Sequence, residues 1–403
     1  MRPLFVVQRY GPPVPGGAEY TARVFAEHLA ARGHEVNVLT SCAVSYSTWA
    51  NELPPGTSVE GGVTVHRLPV DRERDDEVFV PLNTRTAWGA KPVPLHMQRE
   101  WMLAQGPHLP DLVPWLQEHV MSYDAVSFFT YLYFTAWAGL PAAAAAAMPT
   151  ILHPNAHDEP PLYLPVFDTR FHLPTVFSFW VEEEEELVRR RFGVTQPSTV
   201  TGIGFDLDVP VDVERFRTER GVGERPFLAY VGRVEAGKGS LELLDWFVTY
   251  KRRRPGPLAL VLVGYQPGDL PDHPDIVSTG YVDDATKESA MAGAVALAVP
   301  SYFESFSQVL CEAWVHRRPA LVQGRCAVLA GQARRSGGAF AYRGYAEFET
   351  ALDLLLEDPA LADRMGEAGR AYVERRYTWD ACLDRYEHLL SLARDLSPLA
   401  PSR

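Results

Sequence analysis

The chain has 403 residues, of which 46% are hydrophobic and 22% are charged. This length predicts two or more domains, and this composition is ordinary for a globular protein with a sizeable buried core. The formal net charge of −13 argues against a general nucleic-acid-binding protein, because such a protein needs a basic surface to neutralise phosphates. The four cysteines are far apart and include no C-x-x-C pair, which favours reduced thiols over a zinc site or a disulfide framework.

Two hydrophobic segments bear on the cellular location. The N-terminal sequence MRPLFVVQRYGPP has too short an apolar run for a signal peptide. From Ala125 to Leu152 the chain contains no Asp, Glu, Lys or Arg, and this segment is long enough to span a bilayer. Its prolines favour a different interpretation: the buried strand AVSFF, a short packed helix from Pro141 through the alanines, and the strand TILHP. We therefore expect a cytoplasmic protein.

In the first half of the chain, short apolar runs alternate with helical patterns, which predicts a parallel sheet covered by helices. LFVVQ, EVNVLT and TVHRLPV are predicted strands, and AEYTARVFAEHLAARG is a predicted helix that ends at Gly33. The segment from Asp71 to Pro114 has no readable pattern. The run Glu182–Glu186 opens the predicted helix EEEEELVRRRF, whose acidic start and basic end complement the helix dipole. We interpret this run as a solvated face rather than a metal site.

The second half is predicted to form another parallel-sheet domain, so the fold class is α/β with two doubly wound sheets. Five candidate strands alternate with helical stretches: FLAYVGR, LALVLVG, DIVSTGY, AVALAVP and PALVQG. The boundary falls near TGIGFDLDVP, which gives a first domain of residues 1–205 and a second of residues 206–380. Residues 381–403 are expected to form a C-terminal helix that packs back on the first domain, followed by a short disordered tail, SPLAPSR.

The stretch YVGRVEAGKGS places two cations in a glycine-rich loop after a predicted strand. Gly232 through Lys238 match the P-loop pattern G-x-x-x-x-G-K-[ST], but Gly239 stands where a P-loop needs a hydroxyl for Mg²⁺. Arg233 and Lys238 could both reach a diphosphate, Arg through its planar fork and Lys as a point charge. The alternative is that both are surface cations in a loop.

The stretch PSYFESFSQVLCEAW directly follows the strand AVALAVP and carries two glutamates. Glu304 lies in the predicted strand-to-helix loop, and Glu312 lies on the helix that starts near Ser307. A helical carboxylate facing a cleft can accept hydrogen bonds from a ribose diol, whereas a loop carboxylate can contact sugar hydroxyls or a developing positive charge. Two acids on a helix surface are the alternative, but a position beyond the end of a buried parallel strand favours a ligand site.

Two stretches of the first domain also lie beyond predicted strand ends. Gly16 and Gly17 in GPPVPGGAEY precede a helix, where small residues let backbone N–H groups approach an anion, although a tight turn would also use this pair. In ILHPNAHDEP, His153 and His157 follow the strand TILHP. We expect His153 to be a packed side chain and His157, which precedes Asp158, to belong to an active site.

Together the four stretches resemble glycosyltransferase family 4, retaining enzymes of the GT-B fold. The C-terminal half of these enzymes typically contains GR and GK in one loop, then PS-x2-E-x-F, then a pair of glutamates separated by seven residues, as in GRVEAGK, PSYFESF and Glu304 with Glu312 here. The resemblance covers most of the chain and is weakest from Asp71 to Pro114. It implies that YVGRVEAGKGS is a diphosphate-binding loop and that two Rossmann-like domains face a cleft.

This resemblance also implies a role for individual residues. Arg233 and Lys238 would hold the nucleotide diphosphate, Glu312 would bind the ribose and Glu304 would contact the donor sugar. Gly17, with Gly16, matches the glycine loop near the phosphates, and His157 matches the active-site histidine, so the expected catalytic residues are His157, Glu304, Arg233 and Lys238. Backbone amides near the sugar or the phosphates would come from Ser305, Phe306, Ser307, Val309 and Leu310. Many relatives have glycine at the positions of Ser305 and Ser307, so the sugar pocket is expected to differ slightly.

The implied reaction moves a glycosyl unit from a nucleotide-diphosphate sugar to an acceptor hydroxyl with retention at the anomeric carbon. The family's front-face displacement lets the departing phosphate oxygen help to deprotonate the acceptor while Arg233 and Lys238 stabilise its charge, so electrostatic preorganisation carries most of the rate. Two cations and a helix N-terminus make a metal or other cofactor unnecessary. Asp283 and Asp284 form an acidic pair with no third ligand evident.

Several alternatives stay open. A sugar-nucleotide epimerase or a phosphorylase could share the fold, and a non-catalytic nucleotide-sugar-binding partner could keep it. The sequence does not distinguish UDP, GDP, ADP and TDP donors, nor carbohydrate, lipid-linked and small-molecule acceptors. Acceptor choice is expected to rest with the loops Ser45–Gly62 and Asp71–Pro114. The aromatic-rich segment Phe128–Trp137 is compatible with membrane-surface contact, yet the acidic net charge gives no support for binding anionic lipid.

Overall fold

A computed structural model describes residues 1–266 and 268–397. The contacts within the chain divide it into two compact units. Unit 1 comprises Met1–Thr201 together with the chain from Leu383 onward, and unit 2 comprises Gly202–Cys382. The short tail expected to be disordered lies, from residue 398, outside the described residues.

In the described residues, the sheet of unit 1 has eight strands in the order β3-β4-β2-β1-β5-β6-β7-β8. β3 pairs antiparallel with β4, and the other neighbours pair parallel. The strands are β1 (Pro3–Val6), β2 (Asn37–Ser41), β3 (Gly56–Glu60), β4 (Val63–Leu68), β5 (Ala125–Phe129), β6 (Thr150–His153), β7 (Val176–Phe179) and β8 (Ser198–Val200). The central strands are buried along their whole length, as expected for a parallel sheet covered on both faces.

The helices of this unit include elements that the sequence analysis did not assign. They are α1 (Gly17–Ala31), α2 (Asp76–Thr86), α3 (Leu95–Gln105), α4 (Leu112–His119), α5 (Phe134–Ala145) and α6 (Glu182–Phe192). α2, α3 and the start of α4 fill the segment from Asp71 to Pro114. α5 begins well before Pro141, which lies inside the helix. In the described part of the chain, no helix is both long and apolar enough to cross a membrane.

Most aromatic residues of the segment Phe128–Trp137 serve core packing. Phe128, Phe129, Tyr131 and Phe134 are all buried in unit 1. Tyr133 and Trp137 are partly buried and pack against the same core.

β3 is an exposed edge strand that the sequence analysis missed. It joins β4 through Gly61 and Gly62, which both have positive φ and sit between the paired residues Glu60 and Val63. A two-residue turn with positive φ at both positions matches the twist of a hairpin, and Gly-Gly is one of the sequences that favour it. The polar composition of GTSVE hid the strand, but the glycine pair was a readable signal.

In the described residues, unit 2 contains a six-stranded parallel sheet in the order β11-β10-β9-β12-β13-β14. Its strands are β9 (Phe227–Val231), β10 (Ala259–Val263), β11 (Ile276–Ser278), β12 (Ala296–Val299), β13 (Ala320–Gln323) and β14 (Ala339–Tyr342). The five strands expected from sequence are present, and β14 is an additional edge strand. The helices are α7 (Val213–Glu219), α8 (Ser240–Arg253), α9 (Asp284–Gly293), α10 (Gln308–Val315), α11 (Ala327–Ser336), α12 (Tyr345–Glu357) and α13 (Pro359–Arg376).

The last described helix, α14 (Trp379–Asp395), contributes its residues from Leu383 onward to unit 1. The Tyr386 hydroxyl lies 2.6 Å from Ser127 Oγ on β5. Its ring meets Phe5 and Phe25 edge-on, with ring centroids 5.9 and 5.5 Å away. Arg385 donates to the carbonyl of Thr201. This part of α14 thus belongs to the core of unit 1.

The strand orders predict where each unit would bind a ligand. In unit 2 the chain proceeds outward in one direction from β9 and in the other direction from β12, so the sheet reverses its winding between these two neighbours. In unit 1 the same reversal falls between β1 and β5. Loops at the carboxyl ends of the strands separate at such a point and leave a crevice, which is the usual ligand site of open α/β sheets.

Candidate active site

The loop after β9 has a geometry that excludes a P-loop. Gly239 has a φ of 68°, and a Cβ there would collide with the carbonyl oxygen of Pro300, so no side chain fits where a P-loop carries its Ser or Thr. The next residue, Ser240, is buried at the start of α8, and its hydroxyl accepts from the amide of Glu235 and donates to the carbonyl of Glu235. The Ser240 hydroxyl therefore stabilises the loop between Glu235 and α8. The P-loop interpretation is thus excluded by the lack of space at position 239 as well as by the sequence.

The loops after β9 and β12 meet at the reversal point of the sheet. Lys238 Nζ lies 3.0 Å from Glu304 Oε1, although the two residues are far apart in sequence. Both side chains keep some exposure, at 33% for Lys238 and 14% for Glu304. Arg233 lies in the same loop as Lys238 and forms an ion pair with Glu235 at 2.9 Å, with 46% of its side chain exposed. Two cations and two carboxylates therefore lie in the loops at the position that the topology marks for a ligand.

The start of α10 supplies backbone donors close to Glu304. α10 begins at Gln308, so the amides of Val309 and Leu310 lie in its first turn, where helix N–H groups have no partner in the preceding turn. Such amides, with the positive end of the helix dipole, favour an anion. The geometry fits the phosphate contacts that the resemblance assigns to Val309 and Leu310.

Ser307 precedes α10 in a conformation that glycine adopts more easily. Its φ is 70° and its ψ is 78°, and its hydroxyl is buried without a hydrogen-bond partner in the described residues. The carbonyl of the neighbouring Phe306 accepts from Gln332 Nε2, which fixes the loop on the other side, and Ser305 stands between Phe306 and Glu304. The departure from glycine at position 307 therefore leaves a strained residue in the predicted sugar pocket.

Glu312 is held by a cluster of charged side chains that the sequence analysis missed. Its Oε1 lies 3.0 Å from Lys287 Nζ on α9, and Lys287 also contacts Glu288 Oε1 at 3.1 Å. His316 Nε2 lies 2.6 Å from Glu288 Oε2. The cluster arises because α9 and α10 flank β12 in the fold, and a single sequence gives no direct signal for such a pairing.

The electrostatics of this cluster are set by burial and by Lys287. Burial raises the pKa of Glu312, and the nearby ammonium of Lys287 only partly opposes that shift. For Lys287, burial lowers the pKa, but the carboxylates of Glu312 and Glu288 more than offset it, so its pKa lies well above the usual value. Lys287 is therefore a permanent cation at neutral pH.

In unit 1, the glycine loop before α1 is locked by a buried ion pair. Arg9 donates through Nε to Glu19 Oε1 at 2.9 Å, and these side chains are only 3% and 6% exposed. Gly16 has a φ of 131°, and a Cβ there would collide with the Glu19 carboxylate. The packing of this loop alone explains the need for Gly16. Gly17 is the first residue of α1. Its contact with phosphate stays a prediction.

The two histidines that follow the strand TILHP have different environments. His153 is fully buried, its ring stacks on Phe129 with centroids 4.2 Å apart, and burial lowers its pKa to about 3. His153 is therefore the packed side chain that the sequence predicts. His157 lies in the following loop with 32% of its side chain exposed, and its Nδ1 lies 3.6 Å from Glu159 Oε1. Its predicted catalytic role is compatible with this position.

Glu184 corrects the interpretation of the run Glu182–Glu186 as a solvated face. Its side chain is fully buried, accepting from the amide of Ala156 at 2.8 Å and from the amide of Trp180 at 2.8 Å. Burial raises its pKa to about 8, against the hydrogen bonds from these amides. Ala156 directly precedes His157, so Glu184 fixes the loop that carries the histidine. The helical spacing offered a signal, because Leu187 and Val188 lie on the same face of α6 as Glu184.

Unit 1 also contains a cavity of about 420 Å³ between the start of α2 and α3. The cavity lies in the segment that the sequence analysis expected to choose the acceptor. The Arg74 guanidinium stacks over Phe79 at 4.1 Å and over Trp49 at 5.4 Å from the ring centroids. An aromatic wall with charged groups of both signs suits a polar, hydroxyl-rich ligand. Its lining includes Trp49, Arg72, Arg74, Glu100 and His108.

The structure gives the Asp pair a structural role. Asp283 caps the N-terminus of α9 by accepting from the amide of Thr286 at 2.7 Å, and Asp284 lies 3.5 Å from Lys287 Nζ. Over residues 1–266 and 268–397, no group of three or more His, Cys, Asp or Glu side chains is arranged to hold a metal ion.

Comparisons with known proteins agree with this architecture. A family model for Glycosyl transferases group 1 matches residues 225–358, which span the site loops of unit 2. Over 94% of this chain and 92% of the relative, the sequence is 26% identical to glycogen synthase of Mycobacterium tuberculosis.

Solved structures cover the whole chain with little sequence identity. Sucrose-phosphate synthase from Thermosynechococcus elongatus matches with a TM-score of 0.71 and 19% identity, over 97% of this chain and 98% of that one. HepE of Anabaena, solved in complex with UDP and glucose, matches with a TM-score of 0.70 and 16% identity, over 96% of this chain and 99% of that one. The comparisons confirm a GT-B fold of the α/β class and support a glycosyltransferase.

Proposed function

We propose that this protein is a retaining glycosyltransferase of family 4, which moves a sugar from a nucleotide-diphosphate sugar to an acceptor hydroxyl without a metal. The observation that carries the proposal is the contact between Lys238 and Glu304, 3.0 Å apart, at the reversal point of the unit 2 sheet. The match to Glycosyl transferases group 1 over residues 225–358 supports it, as do the sequence similarity to a glycogen synthase and the structural similarity to HepE, which has also been solved in complex with UDP-glucose.

The diphosphate is the first part of the substrate to which roles are assigned. Arg233 and Lys238 bind its oxygens, and the first amides of α10 add neutral donors that face the same anion. In the structure the Glu304 carboxylate accepts a hydrogen bond from the ammonium of Lys238. An arriving phosphate replaces that partner, which frees Glu304 to accept hydrogen bonds from the donor sugar. Lys238 thus binds the diphosphate of the donor, and Glu304 binds its sugar.

The transfer step breaks the bond between the anomeric carbon and the phosphate oxygen and forms a bond to the acceptor oxygen on the same face. The acceptor proton passes to the departing phosphate oxygen. Arg233 and Lys238 stabilise the charge on that leaving group, and their fixed positions supply the preorganisation on which such catalysis depends. His157 is assigned to the donor sugar, where a hydrogen bond that tightens as positive charge develops raises kcat.

The acceptor is assigned to unit 1. The cavity beside Trp49 and Arg74 is large enough for a sugar ring and has both aromatic and charged walls. We therefore favour a hydroxyl-rich acceptor over an apolar one.

A thermal-shift screen with UDP, GDP, ADP and TDP and their sugars tests the proposal, because a ligand that binds the native state raises its melting temperature by mass action. UDP is the first candidate, since HepE was solved with UDP and glucose. One nucleotide should stabilise the wild type and have little effect on Arg233→Gln. No shift with any of the four nucleotides would contradict the proposal.

Product analysis distinguishes the transferase from its alternatives. An epimerase would convert the sugar nucleotide without an acceptor, a phosphorylase would require inorganic phosphate, and a binding partner would leave the donor intact. Transfer should persist in EDTA. If it disappears with the chelator and returns with Mg²⁺ or Mn²⁺, the metal-free mechanism is wrong.

A further inference from the structure

The carboxylate of Glu312 is asymmetric. Oε1 receives the ammonium of Lys287 at 3.0 Å, whereas Oε2 is buried without a hydrogen-bond partner in the described residues. A buried acceptor left unsatisfied is unfavourable, and more so when it carries a charge. Glu312 therefore has an unused acceptor, and it is the residue that the family resemblance assigns to the nucleotide ribose.

Lys287 is the group that creates this asymmetry. Its side chain is 21% exposed and lies among three carboxylates, with Nζ at 3.0 Å from Glu312, 3.1 Å from Glu288 and 3.5 Å from Asp284. These three contacts hold the ammonium in place, and the ammonium in turn holds one oxygen of Glu312. Only Asp284 among the three carboxylates is exposed to solvent, at 92%.

Glu288 forms a second ion pair with Lys287 and is itself held by His316. Burial opposes the ionisation of Glu288, but the hydrogen bond with His316 and the charge of Lys287 more than offset it and lower its pKa. The side chains of Glu288 and His316 are 10% and 7% exposed, so both ends of this contact are held by packing. The order His316, Glu288, Lys287, Glu312 is a continuous chain of contacts that ends at the unpaired oxygen.

Resting on the proposed function, we propose that Lys287 is a positioning residue that holds Glu312 Oε1 and so presents Oε2 to the vicinal hydroxyls of the nucleotide ribose. A carboxylate with one oxygen fixed has a defined direction for its second oxygen, which suits two neighbouring O–H donors. Removing the cation leaves a buried carboxylate that can rotate or take up a proton, and a protonated oxygen donates where the diol needs an acceptor.

The test compares a nucleoside diphosphate with its 2′,3′-dideoxy analogue by titration calorimetry, using the nucleotide that the thermal-shift screen selects. Losing two hydrogen bonds to a charged group should weaken wild-type binding by about 100-fold or more. In Lys287→Met, which keeps the aliphatic stem, this preference should shrink by about 10-fold or more while the dideoxy ligand binds as it does to the wild type. Lys287→Arg, which keeps the cation, should restore most of the preference.

The outcomes separate this inference from the function on which it rests. Nucleotide binding with an unchanged ribose preference in Lys287→Met would overturn the positioning role alone. No nucleotide binding by the wild type would overturn both proposals. A purely structural role would lower the melting temperature and weaken both ligands equally, which also counts against positioning. If Lys287→Met does not fold, the uncharged variant Lys287→Gln replaces it. The same ratio of affinities, for the nucleoside diphosphate and for its dideoxy analogue, is then measured.

Discussion

The buried Glu184 allows a prediction whose magnitude follows from the structure. The carboxyl has an ordinary pKa of 4.5 and a pKa of about 8 in the folded chain, where it is fully buried. Between these values the folded state binds a proton that the unfolded state releases, so this site favours folding fully below pH 4.5 and that contribution is lost as the pH rises towards 8. The loss amounts to about 1.4 kcal/mol for each pH unit.

Replacing this carboxyl by an amide removes the titration and keeps the shape. Each carboxylate oxygen of Glu184 accepts from a different backbone amide, whereas the NH2 group of a glutamine only donates, so Glu184→Gln should be less stable than the wild type near pH 5 by roughly 1–3 kcal/mol. Between pH 5 and pH 7 the variant should then gain roughly 3 kcal/mol relative to the wild type, which is a large part of the stability of an ordinary domain. This change with pH does not depend on the lost hydrogen bond, because it comes from the titration of the wild-type carboxyl alone.

Urea unfolding at pH 5, 6 and 7, followed by tryptophan fluorescence, measures the difference between the two proteins. Glu186→Gln is the matched control, because Glu186 lies on the same helix and its side chain is 74% exposed. Comparing the unfolding free energies of Glu184→Gln and Glu186→Gln separates the effect of burial at position 184 from the effect of losing one negative charge on α6. A stability difference between wild type and Glu184→Gln that stays constant from pH 5 to 7 would refute the reasoning.

Three further outcomes are expected. Lys238→Ala should weaken nucleoside diphosphate binding by about 1.5–3 kcal/mol in titration calorimetry, which is the scale of a hydrogen bond to a charged group. Removing the exposed Lys91 in the same way should leave the affinity unchanged. If Lys238→Ala and the wild type bind the nucleotide equally well, Lys238 does not belong to the site. His157→Ala should lower kcat by roughly 100-fold with nucleotide affinity nearly unchanged, and His153→Ala should mainly lower stability, by about 2–5 kcal/mol as for other large core truncations. A folded but inactive His153→Ala beside a fully active His157→Ala would reverse that assignment. Ser307→Gly should be about 1 kcal/mol more stable than Ser307→Ala, because both variants lack the buried, unpartnered hydroxyl and only glycine relieves the positive φ; equal melting temperatures for the two variants would argue against strain.

The elements that the sequence predicted well are those whose signals are local. α6 has an acidic start, a basic end and a glycine at its C-terminus with a φ of 66°, so its bounds follow from capping and charge. The strands β9, β10 and β12 are short apolar runs bounded by Gly or Pro. The loop after β9 is also local, since glycine at position 239 is dictated by one close backbone contact.

The features that the sequence analysis missed depend on contacts between distant segments. β14 is a short edge strand whose residues Ala339 and Phe340 are only partly buried, so it lacks the apolar signal of its neighbours. The burial of Glu184 depends on a loop that precedes it by nearly thirty residues in sequence. The pairing of Lys287 with Glu312 depends on the packing of α9 against α10. Intrinsic propensity does not encode such contacts, because they exist only after the sheets have formed.

The central claim is that the chain transfers a sugar from a nucleotide donor with retention. The most direct measurement is proton NMR of the selected sugar nucleotide, incubated with the protein and a panel of hydroxyl acceptors, with Glu304→Ala as the control. We predict release of the nucleoside diphosphate and a new glycoside whose anomeric configuration is that of the donor, both strongly reduced in the control. A donor that binds but stays intact with every acceptor, or a product with the inverted configuration, would contradict the account.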